Sequence, residues 1–476
     1  MIQQFIKEGS IYSISTFATK GISLLLIPFY TAYFSPADYG VLDLLVVFSG
    51  IVNAFVSLQI GQATARYLAD GKLSEIERKR IGSTGITALV GLYFIAFLLL
   101  IGISFFWENW TGSSYPITTY LFRLATINTV LHAISIQLFI HLRYRRKAKT
   151  HAILSFFQTI ANMGFIFALV VYGKMGIDAI YWASILVVPF ILMIQFYLIR
   201  EDLSWKIDWT SLRKMLRYAI PLIPAAVAIL IMEITDRLFI HHFLSVDALG
   251  IYGIGTKFPA AFGLFISSFS LALGPLVMQG YMHAETKEKL RQLLFNYIQW
   301  GGLLIFLLSL FSLETLSVFT SQAFLQGESV MPFMYFNYFV QGILIFSLGL
   351  SLNNQTRIIS LICIGAAILN CVGNYWLIPT WGIVGAAFST CISTTLLTLF
   401  HFGMSAHFYA FFSPKRLIIV LVFLFILIVC VFQFNQFQLN YMTRISWKTV
   451  ISIVSIIGVV SIHSTQKRKR ALKKIN

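Results

Sequence analysis

Apolar residues run along this chain in blocks, each near the roughly 20 residues that cross a bilayer as a helix. Polar and charged residues collect in the short gaps between them. Fourteen such blocks follow one another: 9–34, 39–63, 82–106, 117–141, 151–172, 177–199, 218–243, 248–279, 293–316, 333–352, 358–378, 382–408, 416–434 and 446–463. The pattern predicts an all-α polytopic membrane protein with about 14 transmembrane helices. No small-residue cleavage site follows a short apolar core at the start, so the first block is expected to be a retained helix.

Composition agrees. The chain is 58% hydrophobic and 11% charged over 476 residues, with a mean hydropathy of +0.80. The longest connections, 66–80, 200–217 and 320–332, are too short to fold into a soluble catalytic domain. They contain no phosphate-binding glycine loop, no zinc spacing, no nucleophile elbow and no paired carboxylates. No catalytic residue, metal site or cofactor is therefore expected. His241 and His242 are adjacent, point to different sides of a helix, and read as interfacial residues. Cys363, Cys371, Cys391 and Cys430 all fall within apolar blocks and read as small core residues.

The net charge is +17. Its distribution, not its size, is informative. Basic runs at 66–80, 143–149, 200–217, 287–291 and 467–474 lie on alternate sides of the blocks, while the opposite connections hold only Lys174, Arg444 and Lys448. This is the positive-inside pattern, with both termini in the cytoplasm, and not a nucleic-acid surface. Within 200–217, the stretch 208–217 predicts a short amphipathic helix at the cytoplasmic surface, with Leu212, Met215 and Leu216 on its apolar face.

Two weak repeats suggest a duplication. Phe34-Ser35-Pro36-Ala37-Asp38-Tyr39-Gly40-Val41 resembles Leu244-Ser245-Val246-Asp247-Ala248-Leu249-Gly250-Ile251. Gly176-Ile177-Asp178-Ala179 resembles Gly382-Ile383-Val384-Gly385. An even number of spans separates each pair, so the repeats are parallel. The expected organisation is a six-helix bundle over 1–200, a cytoplasmic amphipathic linker over 201–217, and a second six-helix bundle over 218–410. Two further helices fill 411–463, and a basic cytoplasmic tail fills 464–476.

Four cations lie inside the apolar blocks: Lys20, Arg123, Arg237 and Lys257. A charge at that depth costs about 3 kcal/mol on an insertion scale, so it snorkels, pairs, or faces water and a ligand. Arg123 and Arg237 sit near the outer ends of their spans, within or near snorkelling reach. Glu233 stands four residues before Arg237 and is positioned to pair with it; Asp236 completes an acid–base cluster. Lys20 and Lys257 are too deep to snorkel. Asp43 is a candidate partner for Lys20, and no acid lies one turn from Lys257. A cavity with a positive lining suits a diphosphate and suits an organic cation badly. If an ion drives the process, Asp43, Glu233 and Asp236 are the carboxylates available to couple it.

Leu26-Ile27-Pro28-Phe29-Tyr30-Thr31, Ser35-Pro36-Ala37-Asp38-Tyr39-Gly40 and Ala65-Arg66-Tyr67 resemble the opening of polysaccharide flippases. Arg217-Tyr218-Ala219-Ile220-Pro221-Leu222-Ile223-Pro224, Asp236-Arg237 with Gly250-Ile251-Tyr252, and Gly382-Ile383-Val384-Gly385-Ala386-Ala387 are similar to later signatures of that family. The likeness runs from residue 10 to about 400. It points to the Wzx-type O-antigen flippases of the multidrug/oligosaccharidyl-lipid/polysaccharide exporter superfamily. The resemblance implies two pseudo-symmetric six-helix bundles around a central cavity plus two C-terminal helices. It implies translocation of an undecaprenyl-diphosphate-linked glycan across a bacterial cytoplasmic membrane, with membrane lipids, a polysaccharide polymerase and a chain-length regulator as partners. Lys20, Lys257, Arg237 and Arg123 would line the substrate cavity. Ala32 departs from the family, where many relatives carry a basic residue. Other readings are a lipid II flippase and a cation-coupled antiporter of the same superfamily. A polymerase or ligase needs a long outer loop with basic residues, and 320–332 has none.

Overall fold

The structure, a computed structural model, describes residues 2–69, 73–112, 116–144, 148–278, 284–353, 355–437 and 440–475, and the side chains of most of them. The described residues are mostly helical, with no strand among them. Two compact units divide the chain, Met1–Gly250 and Ile251–Asn476.

The first unit holds α1 (Ile2–Tyr33), α2 (Pro36–Val56), α3 (Ile60–Ala69), α4 (Glu75–Ser104), α5 (Trp107–Thr111), α6 (Thr119–Tyr144), α7 (Ala148–Val171), α8 (Asp178–Ile199), α9 (Trp209–Ala219) and α10 (Ile223–Phe243). From α11 (Val246–Ala260), which straddles the division, the chain continues through α12 (Phe262–Met278), α13 (Ala284–Asn296), α14 (Gly302–Leu310), α15 (Ser312–Phe319), α16 (Met331–Ile343), α17 (Leu348–Leu352), α18 (Thr356–Phe408), α19 (Pro414–Gln436) and α20 (Tyr441–Ile475).

Twelve described helical segments are long and apolar enough to cross a membrane. One of them, Arg357–Phe408, holds two of the expected blocks, and α1 precedes them all, so the fourteen-span reading stands. The join between the two blocks in α18 is Gly382, at φ 59° and ψ −140°, a conformation open chiefly to glycine.

Three block edges need correction. Block 39–63 stops as a helix at Val56; a turn with Leu58 and Gln59 at positive φ then leads into α3. Block 248–279 breaks at Ala261, two residues after Pro259, whose ring cannot donate to the helical ladder. Block 293–316 starts earlier: its membrane-length segment is Glu285–Leu310. A wide turn at Tyr297–Gly301 lies inside it and seats Tyr297, whose hydroxyl donates to the Phe339 carbonyl at 2.8 Å.

The first repeated motif is a helix start. Ser35 accepts the Asp38 N–H at 3.2 Å while Asp38 accepts the Ser35 N–H at 3.0 Å, and Pro36 opens α2. In the second copy Ser245 accepts the Ala248 N–H at 3.0 Å and opens α11. The two copies also meet. A β-carbon on Gly40 would strike the carbonyl of Val246, and one on Gly250 would strike the carbonyl of Pro36. Each glycine thus faces the residue equivalent to the other's neighbour, as in a two-fold contact. Only glycine admits backbones this close.

The predicted amphipathic helix is α9. Asp208 caps it by accepting the Ser211 N–H at 3.2 Å. That hydrogen bond holds the Asp208 carboxyl below its ordinary value. Leu212, Met215 and Ala219 bury against Ile60 and Ala63 of α3 and Ile81, Leu89 and Tyr93 of α4. Leu216 is only partly buried, so Ala219 takes the place expected for it. The apolar face is covered by protein, while Trp209 stays exposed.

Candidate functional site

In the first unit, α2 packs on α10 and brings two of the expected residues together. Arg237 Nε lies 3.3 Å from Asp43 Oδ2. Asp43 is 3% exposed. Isolating a carboxylate from water costs several kcal/mol unless a cation stands against it, and Arg237 supplies the cation. The guanidinium also donates to the carbonyl of Glu233 one turn back. Tyr39, one turn before Asp43, and Tyr181 of α8 lie within electrostatic reach of that carboxylate. Asp236, on the same helix as Arg237, is buried, and the Glu233 side chain is exposed.

This pairing was not among the expected ones. The spacing matched Arg237 with the Glu233 side chain and Asp43 with Lys20. The fold adds a pair across helices, Arg237 with Asp43, and keeps Arg237 within electrostatic reach of the Glu233 carboxylate. Sequence separation hides such a pair, because only packing of α2 on α10 creates it. The side chain of Lys20, on α1, and with it the expected Asp43–Lys20 pair, lies outside the described residues.

Arg123 sits apart from this pair. Its Nε donates to Ser104 Oγ at 2.9 Å, and its guanidinium lies over the Phe105 ring at 5.0 Å. Ser104 is the last residue of α4, so Arg123 places positive charge at the negative end of that helix. Its described contacts fasten α6 to the end of α4.

Polar side chains stitch the remaining spans of this unit. His132 and Ser184 share a hydrogen bond of 2.7 Å, Asn128 donates to the Tyr181 carbonyl at 3.3 Å, and Ser49 meets Thr129 at 2.8 Å. Such bonds hold helices together where lipid provides no hydrophobic drive.

In the second unit, Lys257 of α11 is half-buried. Its neighbours fix the helix. Gly255 abuts the Gly327 carbonyl, Thr256 donates to the Gly253 carbonyl at 2.8 Å, and Phe258 packs on Phe319 at 5.8 Å. Lys257 itself has no ion-pair or hydrogen-bond partner among the described residues.

A different lysine of this unit is buried outright. Lys448, counted among the outer cations, is fully buried in α20. It donates to both carboxylate oxygens of Glu314, at 2.8 and 3.0 Å. Arg444 Nε adds a contact to Glu314 at 3.3 Å. Glu328 accepts from Gln436 of α19 at 3.1 Å and from Ser312 of α15 at 3.4 Å. Burial pushes the Glu328 carboxyl above its ordinary value, against the pull of Lys448. The cluster anchors the last two helices to α15.

The polysaccharide biosynthesis protein family matches residues 33–325. A protein of the Lsg locus of Haemophilus influenzae is 24% identical over 292 residues, covering 60% of this chain and 67% of that protein. Among solved structures, the chain resembles the lipid II flippase MurJ in an inward closed conformation, with a TM-score of 0.66 and 18% identity. That likeness covers 96% of this chain and 99% of MurJ. It also resembles an outward-facing multidrug resistance MATE family transporter of the MOP superfamily, with a TM-score of 0.57 and 12% identity over 84% of this chain and 95% of that one. A MOP superfamily transporter from Pyrococcus furiosus matches with the same TM-score, identity and coverage. The chain is thus a multi-pass membrane protein with the fold these transporters share.

Proposed function

Because the chain belongs to the polysaccharide biosynthesis protein family, we propose that it flips an undecaprenyl-diphosphate-linked oligosaccharide across the bacterial cytoplasmic membrane. The product would feed surface polysaccharide such as O-antigen or capsule, and transport would proceed by alternating access with both termini in the cytoplasm. The observation that carries this reading is Lys257. A half-buried ammonium in a membrane span, with no acidic partner among the described residues, is stable where an anion comes to meet it. A diphosphate is such an anion, and lysine meets it as a point charge.

The same reading disfavours an organic-cation cargo. A cation exporter needs a membrane carboxylate free to receive its substrate, and Asp43, buried in α2, already faces Arg237. Lys20, Arg237 and Arg123 were expected beside Lys257 in the substrate cavity. Of these, Arg237 serves Asp43, and Arg123 serves the end of α4. We assign headgroup recognition chiefly to Lys257. If an ion drives transport, Asp43, Glu233 and Asp236 are the carboxylates that would couple it.

The likeness to MurJ favours lipid II as the second cargo. Two deletion strains separate the cargoes. Expression in cells lacking their oligosaccharide flippase restores surface polysaccharide on this account. Rescue of growth in cells depleted of their lipid II flippase, without restoring polysaccharide, would replace the first cargo with the second. Rescue of neither, with export of a cationic dye, would overturn both.

A further inference from the structure

A cavity of about 510 Å³ near 403–414 lies at the end of α18 and is mostly apolar. A second cavity is different in kind. It occupies about 380 Å³ inside the first unit, between the end of α2, α3, α4 and α6. That volume falls in the range of small-molecule sites, about 300–1,000 Å³. Its polar lining is mostly carboxamide: Asn53, Gln62 and Gln137 stand with Gln59, Tyr93 and Arg143. No Asp or Glu is among its described lining residues.

Two features mark the cavity as built for a ligand. Gln137 is 4% exposed, and its Nε2 has no hydrogen-bond partner among the described residues. A buried amide left in that state is costly, because its lost bonds to water are not replaced. The fold nonetheless makes room for it: a β-carbon on Gly61 would sit only 3.0 Å from Gln137 Oε1. The turn at the cavity wall is also strained. Leu58 and Gln59 take φ 44° and 54° without being glycine. Asn53 is already oriented, since its Oδ1 accepts the Tyr93 hydroxyl at 2.6 Å, which leaves its Nδ2 hydrogens to turn elsewhere.

Each carboxamide offers a donor and an acceptor side by side. Vicinal hydroxyls of a sugar ring offer the complementary set. With Arg143 present and no Asp or Glu among the described lining residues, the cavity suits neutral and acidic sugars better than cations. We propose that this cavity is a sugar subsite, gripping part of the oligosaccharide while the diphosphate is held elsewhere. The proposal rests on the flippase reading and assigns that function a glycan-reading surface in the N-terminal unit. Gln137 and Gln62 are its central donors.

Full-length protein in detergent micelles, examined by native mass spectrometry, tests this with two probes. One is undecaprenyl diphosphate alone. The other is the lipid-linked oligosaccharide pool extracted from the cells that produce the polysaccharide. Wild-type protein should bind the glycosylated lipid about tenfold more tightly, the effect of one or two added hydrogen bonds. Gln137→Leu, and independently Gln62→Leu at an exposed position, should abolish that preference and leave the affinity for undecaprenyl diphosphate unchanged. Gln137→Asn should retain part of the preference. Equal wild-type affinity for the two probes would overturn the sugar subsite and leave the flippase reading standing. Binding of neither probe would overturn the flippase reading itself. Equal weakening of both probes in the variants would reassign the cavity to the phosphate headgroup.

Discussion

Lys257 and Lys448 both lie on membrane-spanning helices of the C-terminal unit, yet the structure treats them in opposite ways. Lys448 is fully buried, and both oxygens of Glu314 receive it. Lys257 is only half-buried and has no acidic partner among the described residues. Depth in the bilayer is therefore not what separates the two lysines. The separation lies in whether the fold itself supplies the counter-charge. Where it does, the charge fastens helices, here α20 to α15. Where it does not, as at Lys257 among the described residues, the charge is the one we propose meets an anionic headgroup.

The largest expected effect breaks the satisfied member. Lys448→Met removes the strongest contact of Glu314 and leaves that carboxylate partly buried beside Arg444. A loss of about 3 kcal/mol is expected, seen as a lower unfolding temperature in detergent. Removing both charges in Lys448→Met/Glu314→Gln should recover much of it. An unchanged unfolding temperature in the single variant would show that the cluster does not anchor α20.

The pair in the N-terminal unit should respond less. Asp43→Asn leaves Arg237 without its carboxylate, but Arg237 is 22% exposed and retains the Glu233 carbonyl. A loss of about 1–2 kcal/mol is expected. Charge reversal of the pair, Asp43→Arg with Arg237→Asp, should restore stability relative to either single change if the contact across α2 and α10 is the reason both residues are charged.

The smallest effects are pH-dependent and run in opposite senses. A carboxyl whose value is raised on folding holds its proton more tightly in the folded state. Glu328 is such a group, through burial, so its contribution favours folding in acid and fades as pH rises through the folded value. Glu328→Gln should make the protein slightly more stable than wild type at pH 8 and remove the difference near pH 4. Asp208 is held low by its bond to Ser211, so its contribution is present above the ordinary carboxylate range and is lost as pH falls below it. Asp208→Asn keeps the cap of α9 and should flatten that acid-side loss, while Asp208→Ala should weaken α9 at every pH. Unfolding temperatures measured from pH 3 to 8 check both signs.

Most of the fold can be read in the sequence because a bilayer demands about 20 apolar residues per crossing. The helix start at Ser35 is equally plain, since a capping serine, a proline and an aspartate three residues on leave little choice. The turn after Val56 is different. Leu58 and Gln59 carry no local signal for positive φ, so tertiary packing around the cavity imposes it. The candidate site divides along the same line. Lys257 stands out because the cost of its burial depends on its own helix. The partners of Arg237 and Lys448 do not stand out, because Asp43 and Glu314 come from helices far away in the chain. Gln137 gives no sequence signal at all, for a glutamine becomes informative only when its amide is found buried and unmatched.

The claim that Lys257 meets an anionic headgroup is tested most directly in proteoliposomes loaded with undecaprenyl-diphosphate-linked oligosaccharide, by following the appearance of the glycan on the opposite leaflet. Lys257→Met keeps the length and apolar stem of the side chain and removes only its charge. Its flipping rate should fall about tenfold or more, with an unfolding temperature no lower than wild type, and Lys257→Arg should restore part of the rate. Wild-type flipping by Lys257→Met would contradict the account.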